Sequence, residues 1–130
     1  VENQIVGEIG KGLVLLVGFG TDDTIETIKP YANKVLNMRI FDDEQGRFHY
    51  SVLDIRGEIL AIPQFTLYAD TTKGRRPEFF QAMKPELAIK LFHSFVEIIK
   101  NESSLKIEQG VFGADMKVSL INDGPVTISL

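Results

Sequence analysis

Two histidines and no cysteine limit what this chain can do chemically. Without a thiol there is no Cys nucleophile, no thiolate metal site and no disulfide. His93 falls on the polar side of a helical stretch, one turn before Glu97, which is the usual place of a solvated residue. His49 points away from its neighbours Phe48 and Tyr50 in an alternating segment. Neither histidine accompanies a serine in a nucleophile pattern such as G-x-S-x-G. Two isolated histidines are also too few for a zinc site, which takes about three or four protein ligands. There is no G-x-G-x-x-G run and no P-loop, and Gly18-Phe19-Gly20 is too short to count as either. Asp42-Asp43-Glu44-Gln45-Gly46 reads as a turn rather than a calcium loop. Any chemistry must come from backbone dipoles, hydroxyls or the substrate itself.

Two stretches could supply it. In Pro63-Gln64-Phe65-Thr66, a continued strand would put Gln64 and Thr66 on the same face as Leu60 and Ile62. Polar groups that continue an apolar face must find partners or line a cavity. Pro63 has no amide proton, so it marks an edge, a bulge or the strand end. The Thr66 hydroxyl is inert without a base, and no base is evident. Backbone N–H groups at such an irregularity can form an oxyanion hole without any special side chain. The second stretch is Asn122-Asp123-Gly124-Pro125-Val126-Thr127. On composition, Asp123-Gly124 is a hairpin turn and Pro125 opens a strand. A trans bond is then expected, since only about 5–6% of X–Pro bonds are cis. A third feature is the basic run Lys73-Gly74-Arg75-Arg76-Pro77, which also suits a solvated loop.

The elements that must hold these residues follow from patterning. A turn at Gly10-Lys11-Gly12 separates two strands, and Leu13 to Val17, apolar on both faces, reads as central. The spacing predicts a helix from about Asp23 to Asn37, which Pro30 either kinks or divides. Phe48 to Leu53 alternates, and Gly57 to Ala69 forms a long strand candidate. The clearest helix starts near Pro85, with Leu87, Ala88, Leu91, Phe92, Phe95, Ile98 and Ile99 in one stripe. Three further strands close the chain, at Leu105–Phe112, Asp115–Ile121 and Pro125–Leu130. The expectation is an α+β domain: two helices and about seven strands in a largely antiparallel, barrel-like sheet with hairpin connections.

The bulk numbers suit one domain over residues 1–130. The hydrophobic fraction of 44% and charged fraction of 25% are ordinary globular values. No apolar run is long enough to cross a bilayer. No secretory signal pattern opens the chain, and the lack of cysteine fits the cytosol. The net charge of −4 excludes a protein that grips nucleic acid by phosphate neutralisation alone.

Taken together, the segments "LNMRIFDDEQGRFHYSVLDIRGEILAIPQFTLYADTTKGRRPEF" and "GVFGADMKVSLINDGPVTISL" resemble bacterial D-aminoacyl-tRNA deacylase. The likeness runs from about Gly7 to Leu130 and carries two signature motifs in order: Pro63-Gln64-Phe65-Thr66, and Asn122 to Thr127. The resemblance implies a cytoplasmic homodimer of barrel-like subunits, without metal or cofactor. It implies a hydrolase that cuts the ester between a D-amino acid, or glycine, and the 3′-terminal ribose of mischarged tRNA. That activity is chiral proofreading in translation. It further implies a cis Gly124–Pro125 bond whose carbonyls reach into the partner subunit's pocket and exclude L-amino acids. Backbone N–H groups of Gln64, Phe65 and Thr66 would hold the ester carbonyl, and the substrate's 2′-hydroxyl would assist. The Thr66 hydroxyl is the alternative nucleophile that the family offers. Lys73, Arg75 and Arg76 would meet phosphates near the acceptor end of RNA, with no DNA and no membrane as partner.

Against that pattern, Pro63 stands where the family has serine, as it does in a relative with altered substrate preference. A related deacylase with shifted preference, or a weakly active RNA-end-binding module, is therefore the alternative. The family's further N-terminal strand and short C-terminal tail fall outside residues 1–130.

Overall fold

The computed structural model describes residues 1–130. Strand β1, Gly12–Val17, runs beside β4, Glu58–Pro63, and β4 runs beside β5, Ile107–Gln109. Both pairings are parallel. Short strands β2, Phe41–Asp42, and β3, Phe48–Tyr50, form a separate antiparallel pair.

Helix α1, Ile25–Asn37, starts where Thr24 and Thr27 cap each other's backbone amides, which satisfies two of the orphan donors of its first turn. Pro30 lies inside it without dividing it. Helix α2, Pro85–Glu102, has Pro85 in its first turn, where a missing amide proton costs nothing. The two helices pack on each other and cover one face of the three-stranded sheet. That face supplies Ile59 and Ala61, both fully buried, against Ile28, Ala32, Leu36, Phe92, Phe95 and Ile99. Leu13, Leu15 and Val17 of β1 flank the same core.

The sheet corrects the expected one. The α+β class and the two helices stand, but the largely antiparallel, barrel-like sheet of about seven strands does not form. Three strands are parallel, two are antiparallel, and neither sheet closes on itself. The reason lies in the connections. Helix α1 lies between β1 and β4 and helix α2 between β4 and β5, and a chain that returns after such a crossover runs parallel. Leu13 to Val17 is an edge strand, and β4 is the centre. The stretches near Gln4–Gly10 and 115–130 carry strand-like apolar patterns but join no ladder. No backbone–backbone hydrogen bond involves residues 115–130. Alternation tells a strand which face to bury; it does not provide a neighbour.

Phe92, only 1% exposed, sits at the centre of the helix–sheet core. Phe92→Ala is expected to lower the free energy of unfolding by about 3–5 kcal/mol in urea titration, through lost burial and the cavity left behind.

Candidate functional site

Strand β4 ends at Pro63, and the chain turns away. Gln64 donates its amide to the Val17 carbonyl at 2.8 Å, the last bond to β1. Phe65–Tyr68 then forms a single 3-10 turn. Gln64 and Thr66 therefore do not continue the strand face, as a long Gly57–Ala69 strand would require. The first amides of such a turn have no preceding carbonyl of that turn to bond, so the N–H groups of Phe65 and Thr66 are left to other acceptors. The Gln64 side-chain amide donates to Thr66 Oγ1. An amide N–H cannot remove the hydroxyl proton, and no His, Asp or Glu is hydrogen-bonded to Thr66 in the chain.

This turn opens onto a cavity of about 220 Å³. Ile62, Pro63, Gln64 and Phe65 form one wall, and Gly113, Ala114, Met116 and Val118 form the other. It lies at the carboxyl end of β4, the end at which open parallel sheets bind ligands. Ile62 points away from the helix core and into the cavity. The site thus occupies the sheet face that the helices leave uncovered. Phe65 meets Phe79 edge-on, with ring centroids 5.0 Å apart.

A larger recess of about 720 Å³ lies at the opposite end of the sheet, between the start of β4 and the end of α2. It is polar, with Arg56, Glu58 and Lys106 in its wall, and Lys106 pairs with Glu58 at 3.5 Å. None of the residues singled out by sequence lines it. Volume favours this recess; the residues singled out by sequence favour the smaller one, which Pro63, Gln64 and Phe65 line and Thr66 does not.

Lys73, Arg75 and Arg76 are exposed on a loop and form no salt bridge. The loop is closed at its base by a two-way bridge, Asp70 N to Glu78 O at 2.8 Å and Glu78 N to Asp70 O at 2.9 Å. Phe79 follows directly, so the Phe65–Phe79 contact ties this cationic loop to the turn.

Gly124 and Pro125 do not line the cavity of their own chain. They form an exposed turn, and the bond between them is cis, as the resemblance implies and against the trans expectation from composition. Gly124 has φ of 142°, where a Cβ would crowd Val126 at 2.8 Å. Sequence reasoning assigned no role to Asn122 beyond the motif, yet its side chain braces this turn. Asn122 Oδ1 accepts the Val126 amide at 2.8 Å, and its Nδ2 donates to Thr127 Oγ1 at 2.8 Å. An Asn two residues before a Gly-Pro pair, able to hydrogen-bond backbone further along the turn, is the signal for such a brace. His49 and His93 are both exposed, and no three His, Asp or Glu side chains gather to hold a metal ion.

With this geometry in place, the chain can be set beside known proteins. A sequence profile described as D-Tyr-tRNA(Tyr) deacylase matches residues 1–130. A protein of Thermosipho africanus (strain TCF52B), named D-aminoacyl-tRNA deacylase, is 53% identical over all of this chain and 87% of its own length. One of the same name from Clostridium botulinum (strain Alaska E43 / Type E3) is 55% identical with the same coverage. Among solved structures, "c-Myc DNA Unwinding Element Binding Protein" superposes with a TM-score of 0.86 at 41% identity, over 92% of this chain and 81% of that one. A probable eukaryotic D-amino acid tRNA deacylase superposes with a TM-score of 0.74 over 82% of this chain and 77% of its own. At 17% identity that likeness concerns the fold alone.

The base of the cationic loop is sensitive to acid. Asp70 Oδ1 accepts the Thr72 hydroxyl at 2.7 Å and the Thr72 amide at 2.9 Å. These bonds, the hydroxyl's above all, hold the Asp70 carboxyl below its ordinary value of 3.8. A carboxyl depressed in the folded state supports the turn fully above the ordinary value and loses that support as pH falls through the lower, folded one. In NMR titration the Thr72 amide resonance should move with a midpoint below 3.8. A midpoint at or above that value would mean that Thr72 does not hold the carboxylate.

Proposed function

The chain belongs to the D-Tyr-tRNA(Tyr) deacylase family, and from that premise we propose that the β4 cavity is where it hydrolyses D-aminoacyl esters of mischarged tRNA. The observation that carries this reading is the Phe65–Tyr68 turn: its first two amides, those of Phe65 and Thr66, take no backbone acceptor, and it opens on a cavity that Phe65 lines, with no acid–base side chain in the cavity wall. Such amides suit an ester carbonyl that gains negative charge as water attacks, because preformed dipoles need no reorganisation. The missing base is then supplied by the substrate. The 2′-hydroxyl of the terminal ribose assists the attack of water, the bond between acyl carbon and 3′-oxygen breaks, and the 3′-oxygen leaves with a proton. Glycine, with no side chain to exclude, is hydrolysed as well. Gln64 and Thr66 brace each other and keep the turn in shape, and Pro63 walls the cavity.

Stereoselectivity is assigned to a second copy of the chain. In one copy the cis Gly124–Pro125 turn lies outside the cavity wall. The arm that carries it is apolar and uncovered: Val118, Leu120, Ile121, Ile128 and Leu130 are all exposed, Ile121 to 92%. So is Leu16 on the open face of β1. Exposed apolar groups on an arm without backbone partners favour pairing with another chain. In a homodimer each Gly124–Pro125 would crowd the partner's cavity where an L side chain would project. Lys73, Arg75 and Arg76 contact phosphates near the acceptor end, and the dependence on the 2′-hydroxyl restricts the enzyme to RNA. No helix is long and apolar enough to cross a membrane, and we assign the enzyme to the cytoplasm, where aminoacyl-tRNA is used.

The direct test is hydrolysis of D-tyrosyl-tRNA against L-tyrosyl-tRNA. The D ester should be cleaved at least about tenfold faster, a discrimination of about 1.4 kcal/mol or more. Equal cleavage of both, or cleavage of neither, would sink the reading. For the loop, Arg75→Ala should weaken tRNA binding and reduce the slope of log affinity against log salt by about one unit. An unchanged slope would remove Arg75 from the RNA contact.

A further inference from the structure

Gly18 and Gly20 lie between β1 and α1 and face the 3-10 turn. A Cβ on Gly18 would stand 2.8 Å from the Gln64 carbonyl oxygen and 3.4 Å from Tyr68 Cδ2. On Gly20 it would stand 2.9 Å from Tyr68 Cε1, 2.9 Å from its hydroxyl oxygen and 3.0 Å from Cζ. Neither glycine has a positive φ, so the demand at both is for room. The short Gly18-Phe19-Gly20 run, unfit for a phosphate loop, clears a seat for one aromatic ring.

The seat is fastened. The Tyr68 hydroxyl donates to Asp23 Oδ2 at 3.5 Å, and the same oxygen accepts the Gly20 amide at 2.7 Å. Burial, then the Asp23 carboxylate, push the Tyr68 phenol above its ordinary value, so it remains a donor at neutral pH. The loop under the ring is held from its other side by Met83 N to Phe19 O at 2.9 Å and Thr21 N to Gln81 O at 3.1 Å. Tyr68 is the last residue of the turn that begins at Phe65. The turn is therefore fixed at its start by the Gln64–Val17 bond and at its end by the seated ring.

The geometry points to Tyr68 as a positioning residue of the deacylase site. Seated on Gly18 and Gly20 and tethered to Asp23, it holds the Gln64–Thr66 backbone in the attitude that the ester carbonyl requires. This rests on the reading that the Phe65 and Thr66 amides bind the ester, the Gln64 amide being taken by Val17. Tyr68 itself does not line the cavity and takes no part in the bond changes.

The test compares the native protein with Gly20→Ala, Tyr68→Ala, Tyr68→Phe and the double variant Gly20→Ala/Tyr68→Ala. Steady-state hydrolysis of D-tyrosyl-tRNA and thermal unfolding are measured for each. Gly20→Ala should lower kcat roughly tenfold or more while KM stays within about twofold, because slight misplacement of transition-state donors costs rate more than binding. In the Tyr68→Ala background the same change should cost nothing further, since the ring it displaces is gone. Tyr68→Phe keeps the ring and should recover most of what Tyr68→Ala loses. Additive losses in the double variant, a Tyr68→Phe no better than Tyr68→Ala, or losses that only track the unfolded fraction would each overturn the proposal. A native protein that cleaves D- and L-tyrosyl-tRNA alike, or neither, overturns the functional reading itself and takes the proposal with it.

Discussion

Strand β4 is hydrogen-bonded on both edges, to β1 along its whole length and to β5 at Ile59–Ala61. Its two faces do different work. Ile59 and Ala61 are fully buried under α1 and α2, while Ile62 faces the cavity. Pro63 then ends the ladder, because a residue without an amide proton cannot donate to it. The next backbone donor, Gln64, still reaches Val17, and the chain must turn after it. The free amides of the 3-10 turn, the cavity beside them and the Phe65–Phe79 link to the cationic loop all follow from that one termination.

The same termination accommodates a proline at position 63. At a strand interior proline would remove a ladder bond; at the last position of β4 it removes little and fixes the exit. The chemistry is left with the donors that follow it. This is consistent with a site whose function rests on backbone groups, where side-chain identity matters mainly for shape.

The uncovered face sets the other constraint. Parallel sheets are ordinarily covered on both sides, yet here the helices cover only one. The opposite face carries exposed Leu16 and is approached only by chain segments such as Gly7, whose Cβ would lie 3.3 Å from Leu60, and Met116, whose sulfur would meet a Cβ on Gly110 at 2.7 Å. The arm from 115 to 130 makes no backbone–backbone hydrogen bond and exposes several large apolar groups. On the proposed reading, a second copy of the chain covers that arm.

Much of the local structure was legible in the sequence. Helix α2, with Pro85 in its first turn and Ala88, Phe92, Phe95 and Ile99 in its buried stripe, follows from side-chain period and dihedral limits, although Leu87 of the expected stripe is exposed and Val96 is buried instead. Pro63 was readable as an irregularity, yet the strand ends there and does not run on to Ala69 as expected. Period and dihedral limits travel with the residue, so a linear reading finds them. Strand direction, the central place of β4 and the unpaired state of 115–130 were not legible, because each depends on which backbone lies alongside. The sequence also showed no use for Gly18, Gly20 and Tyr68 together: they lie almost fifty residues apart and meet only where the 3-10 turn folds back over the start of α1. Residue types alone determined that this protein has no thiol to use, and their spacing put neither histidine in a nucleophile or zinc pattern. The tertiary fold decided which backbone amides are left free, because a hydrogen-bond donor is free only when no neighbouring strand or turn has claimed it.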